Sequence, residues 1–343
     1  MREARRTATI DGMPNLRPRR PRPPGRPRRP LRTRRAPGRL RSVVVGDLML
    51  DVVIAPASPL EPATDVPGRI ALTQGGSAAT TARWLARLGA RSALVASVGR
   101  DAVGRALVEA IRSDGVTPHV VRVAGSRTGR IGVVVEADGE RSFVADRGAA
   151  DLIGPEDLKA AWFKGIDVLH LPVYSLIGHP LGATGRRSIE LARAGGAVVS
   201  LDLASTGPLL AEGRPAALEL VGAVQPDFLF TTAAEATALL GARALAALLD
   251  LAGTAVVKRG AKGATVLTRS EGGPLRFEVA TTRLAAADTT GAGDAFDAGF
   301  LAGWHAARAA GHAPAAALHR GALGGHRAAA RQISTPRSEL SIG

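Results

Sequence analysis

The chain has 343 residues, 45 lysines and arginines against 30 aspartates and glutamates, and no cysteine. Disulfides and thiolate metal sites are therefore excluded, and no apolar run reaches the ~18 residues that a membrane span needs. The net charge of +15 is unevenly placed: residues 1–41 hold fifteen arginines, eight prolines and only Glu3 and Asp11 as acids, so the remainder is nearly neutral.

A Pro/Arg tract of this kind cannot bury enough apolar surface to offset its chain entropy, and residues 1–41 are expected to be disordered. A nucleic-acid arm, a targeting peptide and a membrane-surface patch are the functional readings. No apolar stretch follows the charges, which argues against a signal peptide. A solvated extension, such as an upstream start codon would add, is the simpler reading, with nucleic acid bound only nonspecifically through the arm. The ~300 residues that follow suit one large cytoplasmic α/β domain, placed here at 42–334 with a C-terminal tail at 335–343.

In chain order, β-rich runs fall at Ser42–Val45, Ala93–Val98, Val168–Val173, Ala197–Leu203, Phe228–Thr231, Thr254–Lys258 and Ala264–Leu267. Between them lie helical stretches at Ala78–Leu88, Ala102–Ser113, Thr184–Ala194, Ala234–Leu249, Ala295–Ala309 and Ala315–Arg331. Apolar strands alternating with helices predict a three-layer α/β/α domain with a mainly parallel central sheet. Two segments break the rhythm. Residues 52–73 are Pro-rich without helical spacing, and 130–146 read as a hairpin about Asp138-Gly139; together they predict a small β-sheet beside the main domain.

Gly46-Asp47-Leu48-Met49-Leu50-Asp51 follows the first strand. Carboxylates beyond the carboxyl end of a parallel strand are well placed for substrate hydroxyls, although Asp47 and Asp51 would also serve as turn caps. In Gln74-Gly75-Gly76-Ser77-Ala78-Ala79-Thr80 the double glycine lets backbone approach a ligand, while Ser77 could simply cap the helix. Val98-Gly99-Arg100-Asp101-Ala102-Val103-Gly104 reads as structural. Thr232-Ala233-Ala234-Glu235 opens a helix, where Glu235 complements the helix dipole. Val257-Lys258-Arg259-Gly260-Ala261-Lys262-Gly263-Ala264 joins two strands through a glycine turn, either a ligand-binding turn or a hairpin with two exposed lysines. It is no Walker A loop, which the chain lacks. The seven histidines lack metal-ligand spacing, and no Ser/His/Asp order suggests a hydrolase.

The densest segment is Asp288-Thr-Thr-Gly-Ala-Gly-Asp294-Ala-Phe-Asp-Ala-Gly-Phe-Leu-Ala-Gly303. Gly291 and Gly293 free the backbone to turn its N–H groups toward an anion, and the helix that follows favours negative charge at its start. A carboxylate beside such a turn, Asp294, suits phosphoryl transfer to a hydroxyl. It could equally be a capping acid. If catalytic, Asp294 deprotonates the hydroxyl, the N–H groups of Ala292, Gly293 and Asp294 receive the phosphoryl charge, and the helix end should lower the Asp294 pKa.

This segment resembles the C-terminal signature of the ribokinase-like (PfkB-type) carbohydrate kinases, and the resemblance runs from about Arg41 onward. It implies an ATP-dependent sugar kinase with a lid sheet over the sugar site and, in that fold, a homodimer through the lid. The Gly75-Gly76 motif is similar to the family's N-terminal signature, with Thr80 where that pattern has Asn, and Asp51 matches a sugar-binding position, as Asp47 does in many relatives. The resemblance places ATP at Thr232 (again Asn in the family), Lys258, Gly260, Lys262 and Gly263, and gives Glu235 a water-mediated role at Mg²⁺. Asp288 and Thr290 match positions that bind a monovalent cation such as K⁺. A nucleoside kinase of the same fold is the nearest rival. It is disfavoured by the lack of aromatics in the lid segments other than Phe143, since bases stack on such rings. A catalytically weakened sugar-binding homologue is a third reading, and an intact Asp294 argues against it.

Overall fold

The computed structural model describes residues 38–135, 141–282, 289–335 and 337–342. Residues 1–37, the turn Asp138-Gly139 and Asp288 therefore lie outside the described residues. The chain runs β1 (Arg41–Val45), β2 (Met49–Pro56), β3 (Gly68–Gly75), α1 (Ser77–Arg87), β4 (Arg91–Gly99), α2 (Ala102–Ser113) and β5 (Thr117–Val123). Then come β6 (Arg130–Val135), β7 (Arg141–Asp146), β8 (Val168–Pro172), α3 (Leu181–Ala194), β9 (Val198–Asp202), α4 (Thr206–Leu209) and α5 (Arg214–Val224). The remainder is β10 (Phe228–Thr232), α6 (Ala233–Leu240), β11 (Thr254–Lys258), β12 (Ala264–Ser270), β13 (Gly273–Val279), α7 (Ala292–Ala309) and α8 (Pro314–Ser334).

Among the described residues nine strands form the main sheet, in the order β13-β12-β11-β10-β9-β8-β1-β4-β5. It is parallel from β11 to β5, with β12 and β13 added antiparallel at one edge. Side chains alternate across a strand, and both faces are covered. Val44, Leu94, Phe228 and Phe230 pack with Leu85 of α1, Leu107 of α2, Phe300 and Trp304 of α7 and Ala322 of α8. Val45, Leu169, Leu201 and Leu229 pack on the other face with Ile189 of α3, Val221 of α5 and Leu239 of α6. The predicted three-layer arrangement with a mainly parallel sheet is thus the one observed.

The helices α7 and α8 meet through glycine. A Cβ on Gly299 would overlap the Gly324 carbonyl oxygen, and one on Gly324 would overlap that of Gly299. Overpacking of this kind typically costs ~1–3 kcal/mol. Gly299→Val should therefore lower the free energy of unfolding by at least that range in urea denaturation. An unchanged midpoint would show that the two helices can separate freely.

A second sheet takes the order β3-β2-β6-β7. The pairs β2–β3 and β6–β7 are antiparallel, while β2–β6 is parallel. The two segments that broke the α/β rhythm supply it, as expected. Several elements differ from the sequence reading. The unforeseen strands β5 and β13 lie at the two edges of the main sheet, where half-buried sequences containing Pro118 and Pro274 carry little apolar signal. The helix α5 was also unforeseen, and the helix expected over 234–249 stops at Leu240. There Gly241 turns to φ 65° and a 3₁₀ segment follows at Leu245–Asp250.

Both chain boundaries shift as well. Leu40 is buried in the core and its carbonyl accepts from Arg91 N at 2.8 Å, so the domain begins before residue 42. Deleting residues 1–37 is expected to leave the melting temperature and kcat/KM unchanged, whereas deletion through Leu40 should lower the melting temperature. A truncated 38–343 chain that no longer folds would refute the reading of the Pro/Arg tract as a dispensable extension. At the other end the segment after α8 is docked: Glu339 bridges Thr73 of β3, and Leu340 N donates to Leu72 O at 2.7 Å.

Candidate active site

The carboxyl ends of the central strands, the N-termini of α1 and α7, and the small sheet enclose a cavity of about 590 Å³. Asp47, Asp51, Gly76, Thr80, Gly291 and Asp294 all line it, joined by Ile131, Val133, Phe143 and Ala145 from β6 and β7. The small sheet therefore roofs the site.

The core of the site is the meeting of two helix starts. Gly291 precedes α7 at φ 75°, in the left-handed region that glycine adopts without strain, and Asp294 stands in the first turn. Ser77, the first residue of α1, donates its hydroxyl to Asp294 Oδ1 at 2.5 Å. Burial pushes the Asp294 carboxyl up to about 7; the Asp202 and Asp47 charges add to this, against the Ser77 hydrogen bond and Lys258. The direction is opposite to the lowering expected from the helix end alone, because desolvation disfavours the charged carboxylate. A group poised near neutrality is suited to general-base work. Of the three N–H groups expected to receive anionic charge, that of Ala292 is already taken by the Thr289 carbonyl at 3.1 Å. Gly293 and Asp294 present the remaining first-turn donors, which have no intrahelical acceptor.

On the sugar side, Gly75 and Gly76 are dictated by contact. A Cβ on Gly75 would overlap the Asp51 carboxylate, and Gly76 sits at φ 98° against the Asp47 backbone. Asp47 is buried, accepts from Ala78 N at 3.1 Å at the start of α1 and from Arg147 Nη1 at 3.4 Å. It therefore contacts the start of α1 while lining the cavity. Asp51 accepts from Arg337 Nη1 at 2.9 Å. Thr80 departs from expectation. Its hydroxyl donates back to Gly76 O at 2.9 Å, and its methyl group faces Gly291, so it presents mainly a packing surface.

The residues expected at the nucleotide sit at the carboxyl ends of β10 and β11, on the other side of α7's first turn. Thr232 and Glu235 form a reciprocal cap: Thr232 Oγ1 accepts from Glu235 N at 3.2 Å, and Glu235 Oε2 accepts from Thr232 N at 2.8 Å. Burial and then Asp202 raise the Glu235 pKa. Gly260 and Lys262 are exposed on the β11–β12 turn, and Gly263 is buried at φ 84° against Val279. Lys258 does not join them at the surface. Its ammonium lies 3.0 Å from Asp202 Oδ1 and 3.2 Å from Asp297 Oδ1, and a Cβ on Gly293 would lie 3.4 Å from it. Burial alone would lower its proton affinity, but Asp202, Asp297 and Glu235 push it above the ordinary lysine value. Burial and Asp202 likewise hold the Asp297 pKa well above normal. Lys258 is therefore not one of the two exposed lysines of the hairpin reading; its ammonium lies against Gly293 in the first turn of α7. As for the cation expected at Asp288 and Thr290, the Thr290 carbonyl accepts from Gln332 Nε2 at 2.8 Å.

Ser77, Arg147, Asp202, Asp297 and Arg337 were not foreseen as site residues. Ser77 had a signal, since it starts the helix after Gly75-Gly76. Asp297 lies one helical turn after Asp294 in α7 and was passed over within the quoted segment; Arg147, Asp202 and Arg337 reach the site from distant segments and carry no local pattern. The aromatic lining was also underestimated. Trp84 and Tyr174, from outside the lid segments, join Phe143 in the cavity, and the Arg147 guanidinium lies 5.2 Å from the Tyr174 ring centroid. Among the described residues no cluster of His, Asp or Glu could hold a metal ion, and no helix is long and apolar enough to cross a membrane.

A three-layer, mainly parallel domain with a β-sheet lid over a half-buried carboxylate at a glycine-rich helix start is a ribokinase-like fold. The sequence profile described as "pfkB family carbohydrate kinase" matches residues 39–336, and the chain belongs to that family. It is a sugar kinase, transferring phosphate from ATP to a hydroxyl. Among curated proteins it is 30% identical to probable fructokinase-4 of Arabidopsis thaliana over 274 residues, 75% of this chain and 80% of the relative. Among solved structures, adenosine kinase from Sinorhizobium meliloti superposes with a TM-score of 0.74 at 24% identity, covering 89% and 98% of the two chains. A fructokinase double mutant from Vibrio cholerae O395, solved in its fructose, ADP and potassium ion bound form, gives 0.71 at 24% identity, covering 88% and 95%. Both structural likenesses define the fold, and their different substrates show that the fold alone does not select one.

Proposed function

We propose that the protein phosphorylates a hydroxyl of a small sugar or sugar derivative with Mg²⁺-ATP in the cytoplasm, where ATP is at hand, using Asp294 as base. The observation that carries this reading is the half-buried Asp294 carboxyl, poised near 7 and held by Ser77 at 2.5 Å beside the α7 N-terminus. Asp51 and Asp47, fixed by Arg337 and Arg147, accept sugar hydroxyls and orient the ring beneath the apolar lid face of Ile131, Val133 and Ala145. Asp294 takes the proton of the hydroxyl that reaches it, and the Gly293 and Asp294 N–H groups receive negative charge from the phosphoryl oxygens. The lid excludes water, which would otherwise compete for the phosphoryl group. Thr232, Glu235, Gly260, Lys262 and Gly263 line the nucleotide side, with Mg²⁺ arriving on the nucleotide and supplying charge neutralisation between its phosphates. The V. cholerae fructokinase, solved in a potassium ion bound form, supports use of a potassium ion, which this reading assigns to Asp288 and Thr290. The same reading extends to a lid-to-lid homodimer, which the exposed Ile70 and Val144 of the small sheet favour.

One observation favours a second reading. Trp84, Phe143 and Tyr174 in the cavity could stack a base, as a nucleoside kinase requires. ADP release from residues 38–343 with fructose, ribose and adenosine separates the two: turnover of a sugar and not of adenosine is expected, and the reverse would establish the nucleoside reading.

A further inference from the structure

The buried side of α7's first turn rests on a charge cluster that the proposed chemistry leaves without a task. Asp202 ends β9 and Lys258 ends β11, on either side of β10. Asp202 pairs in register with Phe230, and Lys258 with Thr232 two residues further along, so both side chains leave the sheet on one face. That face is the one α7 covers, where Phe230 meets Phe296 and Phe300 edge-on. Asp297 reaches the cluster from α7, one turn after Asp294. Lys258 donates to both of its oxygens, at 3.2 and 3.3 Å, and to Asp202 Oδ1 at 3.0 Å. Side-chain exposures of 11% for Lys258, 4% for Asp202 and 0% for Asp297 make this the most deeply buried ionic cluster among the described residues.

Its position ties the cluster to Asp294. The Lys258 ammonium comes so near the residue before Asp294 that a Cβ added to Gly293 would lie 3.4 Å from it. Apolar residues of similar volume often stabilise a fold as well as a buried ion pair does, so stability alone gives little reason to put a lysine and two carboxyls under a helix start. Asp294 is faced by Ser77 from α1, Asp47 beyond β1, Tyr174 beyond β8, and Asp202 and Lys258 from the strand ends. Arg147 is bonded to Asp47, and Glu235 interacts with Asp202 and Lys258. Burial lowers the His170 pKa to about 4, so that ring stays neutral beside the cluster. On top of the effect of burial, Asp202 raises the Asp294 pKa while Lys258 lowers it. The two partners of one ion pair thus pull on Asp294 in opposite directions.

We propose that Lys258 and Asp202 are positioning residues of the phosphoryl transfer: with Asp297 they brace the buried side of the anion turn, and their opposite charges decide how readily Asp294 gives up its proton. This rests on the reading of Asp294 as the base. The test follows the Asp294 carboxyl itself, by carbon-13 NMR of the full chain labelled at its aspartate carboxyls, with the Asp294 signal identified by its loss in Asp294→Asn. Asp202→Asn fills the same volume, still accepts from Lys258 and leaves it paired with Asp297. It should move the Asp294 titration about one unit to lower pH, the order of effect of removing a nearby like charge. Lys258→Met should move it to higher pH by a similar amount. In turnover, Asp202→Asn should raise kcat at pH 6 roughly fivefold relative to its alkaline plateau, with the KM values for ATP and sugar little changed. A limb set by the phosphates of ATP would stay in place in both variants. Lys258→Met is the less stable of the two, and Asp202→Asn decides the matter if the methionine variant does not fold. An Asp294 titration that stays in place in Asp202→Asn, or moves to higher pH, would overturn the proposal. A titration that moves while kcat keeps its limb would uphold the coupling to Asp294 and refute Asp294 as the base. A limb abolished in Asp294→Asn but unmoved in Asp202→Asn would do the opposite.

Discussion

Asp294→Asn is expected to lower kcat by roughly 10²-fold or more, the contribution of a positioned general base, while the dissociation constant for ATP changes little. The amide oxygen still accepts the Ser77 hydroxyl, so the variant should fold and retain the Ser77 contact while losing only the proton acceptor. The pH dependence sharpens the expectation. Because Asp294 is raised to about 7, it is protonated and inactive below that value, so wild-type kcat should climb as pH rises through about 7. The residual activity of the Asn variant should lack this limb. Wild-type activity that is flat from pH 5 to 9, or an Asn variant within a few-fold of wild type, would remove Asp294 from the mechanism.

Lys258→Met is expected to destabilise the protein by about 3–5 kcal/mol, the usual consequence of removing one partner of a buried ion pair. The methionine fills the volume but leaves Asp202 and Asp297 buried without their cation. The sign of the pH effect follows from the carboxyls. Asp297 already has a raised pKa, and loss of Lys258 should raise it further, so the variant loses stability as pH rises above the ordinary carboxyl value and the deficit should be larger at pH 8 than at pH 5. Adding Asp297→Asn should recover part of the loss by removing one of the stranded charges. Chemical denaturation at the two pH values reads this directly. Equal stability of Lys258→Met and wild type at pH 8 would mean that water reaches the cluster and the ion pair is not buried in solution.

Much of the architecture was legible because the central strands are uniform apolar runs. Phe228–Thr231 and Thr254–Lys258 can hardly be read otherwise, and the switch to helical spacing after Gly293 marks α7. Asp294 was legible for a related reason: the turn, the carboxylate and the helix start are contiguous in sequence. Elements at the sheet edges were not, since β5 and β13 are half-buried and interrupted by proline, and α6 looked longer than it is because apolar residues continue past the break at Gly241. Electrostatics were the least legible. Lys258 sits in a glycine turn and looks solvent-facing; only the folded chain brings Asp202 and Asp297 against it. Arg147 and Arg337 likewise have no local pattern, and the pKa direction of Asp294 depends on burial that no spacing rule reports.

The contacts that make the site are unusually far apart along the chain. Ser77 and Asp294 are separated by 217 positions, and Asp51 and Arg337 by 286. Closing loops of that size is entropically late in folding. A folding intermediate of β1–β10 with the lid would lack both its base and the cation that fixes Asp51, so it could bind neither end of the reaction correctly. Refolding should accordingly show secondary structure returning before phosphotransferase activity, with the lag set by docking of α7 and α8 onto a sheet already in place. Chains that stall short of that step would be harmless to the cell's ATP, because the machinery that spends it is assembled only when the distant halves of the sequence meet.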